Sequence, residues 1–261
     1  METQEVDIER RFGGIARLYG AAGLARLQAA HVCVIGIGGV GSWAAEALAR
    51  SAVGAITLID MDHVAESNIN RQIHAADVTL GQAKIEAMAQ RIYSYSPDCR
   101  LTLIDDFLTE ENVALLLPTC DAIIDAIDNV RAKAALIAHC KHNKIPLVTT
   151  GGAGGRIDPT KVQVEDLSRT IQDALASNVR ARLRKEYGFT RDPKKKFGVE
   201  CVFSPEQIKR PVIEVCDVAA EEVPEQVLQG LSCAGYGSSV AVTSTFGMVA
   251  AARIIERLAR S

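Results

Sequence analysis

The chain is predicted to fold as an α/β protein, with a Rossmann-like, mostly parallel sheet flanked by helices. Three observations predict it. Short apolar runs alternate with helical runs between residues 31 and 150, the pattern of a parallel sheet built from strand–helix–strand units. The first apolar run, His31-Val32-Cys33-Val34-Ile35, enters a glycine-rich turn, Gly36-Ile37-Gly38-Gly39-Val40-Gly41-Ser42, and a helical segment leaves it. An acid, Asp60, ends the second run 19 residues after Gly41.

The elements follow in order. Residues 7–30 read as a helix carrying Arg10, Arg11 and Arg17. Strand 31–35, helix 41–51 and strand 55–59 come next, and a polar loop leads to a helix over 81–94. A third strand spans 101–104, a short helix 110–117, and a fourth strand 122–127 with Asp128 just beyond its end. Helix 131–143 and strand 146–150 complete the regular part. After Gly151-Gly152-Ala153-Gly154-Gly155 the pattern weakens. A strand is expected at 162–165, a basic helix at 173–187, a basic loop at 191–196 and a strand at 199–204 that resumes the sheet. Residues 205–232 read as an irregular crossover. There is no repeat and no low-complexity linker, so the 261 residues are read as one domain. Residues 1–150 form its nucleotide-binding half and 151–261 its substrate and dimer half.

Composition excludes some function classes. At a net charge of −3, global charge does not point to nucleic acid, and any such site must be a local patch. The seven cysteines are odd in number and none are paired as C-x-x-C, so no structural zinc is expected. Residues 1–5 show no signal-peptide pattern, and the cysteine usage fits a reducing cytoplasm. The apolar run 239–255 is short for a membrane span and carries Thr243, Ser244, Thr245 and Arg253. A buried or interface helix is the preferred reading, with peripheral membrane contact as the alternative.

The glycine turn is a place to hold phosphate. Gly36 permits the tight turn, Gly38 lets the backbone approach the anion, and Gly41 lets helix and strand pack closely, with Gly39 between them. Free N–H groups and the positive end of the helix dipole then face the anion. The glycines serve a dinucleotide or ATP equally well. Asp60 stands where an acid accepts hydrogen bonds from ribose hydroxyls, although an ordinary surface aspartate is the plain alternative. The segment 62–72 has little apolar periodicity and offers Asp62, Asn68 and Arg71, while Lys84 opens the next helix. Hydride transfer needs only a neutralised pyrophosphate. Adenylation also needs Arg and Lys to stabilise charge on the α-phosphate and on departing pyrophosphate. Asp128 at a strand end is placed to hold Mg²⁺ through oxygen. Taken singly, Arg71 and Lys84 could be solvated charges, and Asp128 a helix N-cap for 129–143. Their joint occurrence in this order argues against that.

These residues resemble a known superfamily. Gly-x-Gly-Gly-Val-Gly-Ser, Leu58-Ile59-Asp60-x-Asp62, Ser67-Asn68-x-Asn70-Arg71-Gln72, Gly81-x-x-Lys84 and Asp125-Ala126-Ile127-Asp128-Asn129 are similar to the ubiquitin-activating-enzyme-like (MoeB/ThiF-type) adenylating enzymes over at least residues 11–150. The resemblance implies ATP and Mg²⁺, with Asp60 on the ribose, Asn68, Arg71 and Lys84 on the phosphates, and Asp128 at the metal. It also implies an N-terminal arginine lent to the ATP site of a partner subunit, a role that both Arg11 and Arg17 fit. Beyond that core, Arg11-Phe12-Gly13-Gly14, Arg17-Leu18-Tyr19-Gly20, Thr149-Thr150 with the glycines after them, Ile157-Asp158-Pro159 and Gly198-Val199-Glu200-Cys201-Val202-Phe203-Ser204 resemble the tRNA threonylcarbamoyladenosine dehydratases. That resemblance implies ATP-dependent ring closure of the modified adenosine in tRNA, a homodimer, and a link to a cysteine desulfurase and its sulfur acceptor. The sequence does not decide whether a monovalent cation is bound.

Two further features bear on the substrate. Arg180, Arg182, Arg184, Lys185, Arg191, Lys194, Lys195 and Lys196 form a local basic patch that could follow a phosphate backbone, where a solvated helix face is the plain alternative. Cys233, in Leu231-Ser232-Cys233-Ala234-Gly235, is read as an accessible, reactive thiol of undecided purpose, since its neighbours supply no base. Cys201 is expected in the core. The rival readings are an adenylyltransferase for the C-terminal Gly-Gly of a sulfur-carrier protein, an NAD-dependent oxidoreductase, and a non-catalytic nucleotide-binding scaffold.

Overall fold

The computed structural model describes residues 7–209 and 236–260. In chain order its strands are β1 (His31–Ile35), β2 (Ala55–Ile59), β3 (Arg100–Ile104), β4 (Ala122–Asp125), β5 (Leu147–Thr150), β6 (Gln163–Asp166) and β7 (Glu200–Phe203). The helices are α1 (Ile8–Ala29), α2 (Gly41–Arg50), α3 (Lys84–Tyr93), α4 (Val113–Leu116), α5 (Val130–Asn143), α6 (Ala174–Glu186) and α7 (Val240–Arg260). The strands form one sheet in the order β3-β2-β1-β4-β5-β7-β6. Every pairing is parallel except β6 with β7. The predicted α/β class and mostly parallel sheet are therefore observed.

The chain builds β1, β2 and β3 in one direction and then returns to the other side of β1 with β4. Such a reversal opens a crevice beyond the carboxyl ends of the strands. The register aligns Ile35 with both Ile59 and Asp125. Gly36, Asp60 and Ala126, each one residue further on, therefore leave the sheet at one level.

Side-chain alternation sends β1 into two cores. Val32 and Val34 face one layer with Leu27, Leu48, Met88 and Phe246, while Cys33 and Ile35 face the other with Ile123, Leu136 and Leu183. With helices on both faces, β1 and β2 are buried along almost their whole length. The expected apolar run near the C-terminus is part of α7, which buries Val242, Phe246, Ala250, Ala251, Ile254 and Ile255 against α1, α2 and the sheet. Val242, Phe246, Ile254 and Ile255 each contribute about 1.5–3 kcal/mol by leaving water. No helix among the described residues is long and apolar enough to cross a membrane. The peripheral membrane contact considered for 239–255 is not supported, because that apolar face is spent on the core.

Several boundaries differ from expectation for local reasons. α1 is kinked at Gly20, whose φ of 78° is non-helical. α3 starts at Lys84 rather than 81, since Gly81 has φ +81° and the amide of Lys84 donates to the carbonyl of Asp62. β4 ends at Asp125, because that carboxylate accepts the amide of Ile127 and turns the chain out of the ladder. The short helix expected at 110–117 contracts to α4. Most of the predicted crossover, residues 210–232, lies outside the described residues.

One buried carboxylate ties α1, α2 and α3 together. Glu46 of α2, 2% exposed, accepts from Arg50 Nε at 2.7 Å, from Arg91 Nε and Nη2 at 2.9 and 3.1 Å, and from the Tyr95 hydroxyl at 2.9 Å. Arg11 of α1 donates to the Tyr95 carbonyl. Burial alone would raise the Glu46 carboxyl, but hydrogen bonds from Arg91, Arg50 and Tyr95 hold it below its usual 4.5. Glu46→Ala is expected to cost about 2–3 kcal/mol by leaving those donors unpaired. A depressed carboxyl adds stability above its unfolded pKa and loses it as pH falls through the folded one. Melting temperature against pH should therefore drop on the acid side for the native chain, and Glu46→Gln should flatten that limb. An unchanged acid limb would remove Glu46 from the account.

Candidate active site

The crevice at the switch point is a cavity of about 690 Å³. Its floor is the glycine turn. Gly36 has φ +84°, and a Cβ on Gly41 would lie 1.8 Å from the Gly36 carbonyl oxygen, so only glycine lets α2 start this close to β1. Gly36, Gly38 and Gly39 line the cavity, and Gly38 has open space beside it. Gly41 does not line it. Its role is the close packing expected for the third glycine of such a turn.

Asp60, Asp62, Asn68, Arg71, Lys84 and Asp128 all line the same cavity, the first five from the chain that follows β2 and Asp128 from the end of β4. Asp60 is 8% exposed, and its two carboxylate oxygens accept the amides of Ile37 at 2.6 Å and Asp62 at 2.8 Å. Burial pushes its carboxyl above the usual range, opposed by the positive charge of Lys84 and by those two amides. Asp60 thus braces the glycine turn as well as facing the cavity.

Asp62 has a partner that its expected role did not foresee. Its Oδ2 lies 2.6 Å from Nζ of Lys84, which is itself 6% exposed. An ammonium with little water around it is held over the cavity by one half-exposed carboxylate. Asn68 caps its own single helical turn by accepting the Ala65 amide. Arg71 Nη1 donates to the Ser67 carbonyl and to Asn70 Oδ1, while its stem lies against Gly39. The indole of Trp43 fixes the Arg71 carbonyl at 3.0 Å.

At the β4 end, the cap of α5 falls to Asn129, not Asp128. Asn129 Oδ1 accepts the amides of Arg131 and Ala132. The plain alternative weighed for Asp128, a helix cap, is therefore not what is observed, and Asp128 is left exposed at the cavity rim. Arg17 and Arg11 do not line the cavity of their own chain, and Arg11 is engaged with Tyr95.

Several contributors escaped the sequence reading. Phe107 and Leu108 supply an apolar wall beyond β3. Gln72 is 5% exposed, and its Oε1 has no hydrogen-bond partner among the described residues. Burial, with the charges of Lys84 and Arg91, pushes His74 down to about 4, so this imidazole brings no charge to the site at neutral pH. The opposite wall, Thr150 to Gly154, is pinned by the buried Arg156. Its guanidinium donates to the carbonyls of Gly152, Ser204, Glu206 and Gln172 and pairs with Asp173. Asp173 in turn accepts the Gly152 amide and caps α6.

The basic patch is partly consumed by internal partners. Arg182 pairs with Glu186 at 2.7 Å and Glu110 at 3.2 Å, Arg180 donates to the Thr170 hydroxyl, Arg184 lies over the Phe197 ring, and Lys196 pairs with Glu165. Lys185, Arg191, Lys194 and Lys195 are exposed. Five free thiols are described, and burial pushes Cys99, Cys120 and Cys140 up to about 11, 11 and 12. Cys201 is fully buried, as expected. Cys233 lies outside the described residues. Among the described residues, no group of three His, Cys, Asp or Glu side chains could hold a metal by itself.

The chain is similar to proteins of known name. It is 54% identical over 254 residues to the tRNA threonylcarbamoyladenosine dehydratase of Escherichia coli (strain K12), covering 95% of this chain and 93% of that one. The enzyme of the same name from Haemophilus influenzae is 50% identical, with 96% and 94% covered. The crystal structure of the E. coli dehydratase in complex with ATP superposes with a TM-score of 0.86 at 50% identity, covering 98% and 97% of the two chains. The ThiF family model matches residues 13–260. A glycine turn, an acid on the second strand, a buried lysine and a rim carboxylate at one switch point, with relatives this similar over the whole length, establish that the chain belongs to the ThiF family.

Proposed function

We infer that this chain is an ATP-dependent tRNA threonylcarbamoyladenosine dehydratase, which closes the threonylcarbamoyl side chain of the modified adenosine into a ring. The 54% and 50% identity to two dehydratases supports the tRNA substrate. The observation that carries the adenylating chemistry is the convergence of Arg71, Lys84 and Asp128 over the glycine turn in one cavity. That set exceeds what binding a dinucleotide needs and suits nucleotidyl transfer.

The residues fit ATP. A cavity of about 690 Å³ falls within the size range of small-molecule sites, and Gly38 leaves its approach open. Asp60 is assigned to the ribose, the turn amides with Asn68 to the phosphates, and Phe107 with Leu108 to an apolar wall. Asp128 alone is too few ligands for a bare metal site. It suits Mg²⁺, which binds through one or two carboxylates together with phosphate oxygens and water. When bound, the ion would offset phosphate charge.

The chemistry follows from the leaving groups. A carboxylate is a poor electrophile because hydroxide leaves badly. Attack of a threonyl carboxylate oxygen on the α-phosphorus releases pyrophosphate and forms an acyl-adenylate. Lys84 and Arg71 stabilise the charge that grows on the α-phosphate and on the departing group. A nucleophile within the same modified base then attacks the acyl carbon and expels AMP. Intramolecular closure benefits from effective concentrations of about 10⁵–10⁸ M, so no protein nucleophile is required, and Cys233 is not assigned one. The oxygen lost from the carboxylate leaves in AMP, which balances a dehydration driven by ATP cleavage.

The remaining assignments are proposals of the same standing. The chain acts as a homodimer in which Arg17 or Arg11 completes the neighbouring subunit's site, in a reducing cytoplasm. The exposed lysines 185, 194 and 195 meet tRNA, with Lys196, Arg180, Arg182 and Arg184 behind them. A cysteine desulfurase and its sulfur acceptor are expected partners, and a monovalent cation stays an open expectation.

Mass spectrometry of nucleosides from a deletion strain should find the open form in place of the cyclised one. Persistence of the cyclised nucleoside would sink the function, and ATP–pyrophosphate exchange that requires a sulfur-carrier protein would favour the rival adenylyltransferase. Lys84→Ala and Arg71→Ala should each lower kcat by about 10²–10³ while leaving tRNA affinity within about threefold. Equal losses in tRNA binding would move these residues off the phosphates. Reversing charge at Lys194, Lys195 and Lys196 should weaken tRNA binding and flatten its salt dependence by about 0.9 per lost phosphate contact. An unchanged dissociation constant in filter binding would remove the patch from the interface.

A further inference from the structure

Lys133 does not line the cavity, yet it is joined to the segment that carries Asp128. On the functional reading above, we propose that Lys133, acting through Asp125, is a positioning residue that sets the place of Asp128 in the adenylation step.

Lys133 is 2% exposed and Asp125 is wholly buried. Nζ of Lys133 lies 2.8 Å from Asp125 Oδ1, 3.0 Å from Thr149 Oγ1 and 3.3 Å from the Asp125 carbonyl oxygen. An ammonium has three donors, and all are used. Asp125 Oδ1 also accepts the Ile127 amide at 3.1 Å, and its Oδ2 accepts the Thr149 hydroxyl at 2.6 Å. One carboxylate, neutralised by Lys133, thus fixes the residue just before Asp128. Asn129, capping α5, fixes the residue just after it. The same segment supports the floor, since a Cβ on Gly36 would meet the Ala126 carbonyl oxygen at 2.9 Å. Movement of residues 126–127 would therefore displace the rim carboxylate and press on the glycine turn together.

Stability does not explain the pair. A buried ion pair replaced by apolar groups of similar volume is often no less stable, whereas removal of one partner leaves a buried charge uncompensated. The pair instead has a geometric use, because a misplacement of about 1 Å near reacting groups can cost about 10²-fold in rate.

The test compares the native chain with Lys133→Met, Thr149→Val, Asp128→Ala and the Lys133→Met/Asp128→Ala double variant, each checked for folding by thermal melt. Turnover is measured with ATP, Mg²⁺ and tRNA carrying threonylcarbamoyladenosine, and amide hydrogen exchange is followed in the same proteins. Lys133→Met should lower kcat about tenfold or more with KM for ATP within about threefold. In the Asp128→Ala background it should cost less than about threefold, because residues acting as one unit are not additive. Exchange at residues 126–129 should quicken in Lys133→Met, with β1 amides unchanged. If Lys133→Met does not fold, Thr149→Val carries the same expectations at smaller amplitude. A folded variant with native kcat, a full loss repeated in the Asp128→Ala background, or unchanged exchange at 126–129 would each overturn the proposal. Failure of the native chain to cyclise the nucleoside would overturn the functional reading instead, and the exchange measurement would still decide whether Lys133 holds the segment.

Discussion

The structure depends on how closely three strand ends approach one another at the switch point. Gly41 opens α2 directly against the carbonyl of Gly36, and Gly36 in turn lies against the exit of β4 at Ala126. These are backbone contacts with no side chain between them. They bring the turn after β1, the acid after β2 and the rim after β4 into one small volume. Every group assigned to the nucleotide is placed by that approach, and a single Cβ at Gly41 would separate the helix from its strand.

Three buried charge clusters hold the elements that meet here, and two of them back segments that line the cavity. Glu46 joins α2 to the end of α3 behind the turn, Asp125 and Lys133 underlie the rim, and Arg156 with Asp173 holds the glycine segment after β5. Buried charges are costly unless fully paired, so such clusters tolerate little displacement. The cavity is rigid on these sides. Its cationic groups, by contrast, have provisional partners: Arg71 is bonded to its own loop and Lys84 to half-exposed Asp62. On the proposed reading, phosphates would have to outcompete only the Asp62 carboxylate, the Ser67 carbonyl and the Asn70 side chain, which is a small reorganisation.

Much of the nucleotide half was legible in the sequence, because its signals are local. Strands 31–35 and 55–59 coincide with β1 and β2, since short runs rich in Val and Ile that end at glycine or aspartate leave few alternatives. The set Asp60, Asn68, Arg71, Lys84 and Asp128 was legible from order and residue type at strand ends. The buried pairs were not. Asp125 meets Thr149 across 24 residues, Arg156 meets Asp173 across 17, and Glu46 meets Arg91 across 45. A charged residue within a helical run reads as solvent-facing unless its distant partner is known, which is why Lys133 and Glu46 gave no sign. The cap of α5 was left open for a simpler reason: Asp and Asn are equally good N-caps, and Asp128 and Asn129 stand side by side.

α7 has a consequence for how the molecule comes into being. Gly247 of this helix lies so close to the turn that a Cβ there would stand 2.4 Å from the Val40 carbonyl oxygen. Thr243 from the same helix lines the cavity. The turn is encoded near residue 40 and its lining near residue 243, so a nascent chain emerging from the ribosome displays a glycine loop long before the element that covers it is made. Long-range closure of this kind is slow to form and leaves apolar surface open meanwhile. Leu48 and its neighbours on α2 must therefore wait, shielded by other means, until Val240–Arg260 has been synthesised.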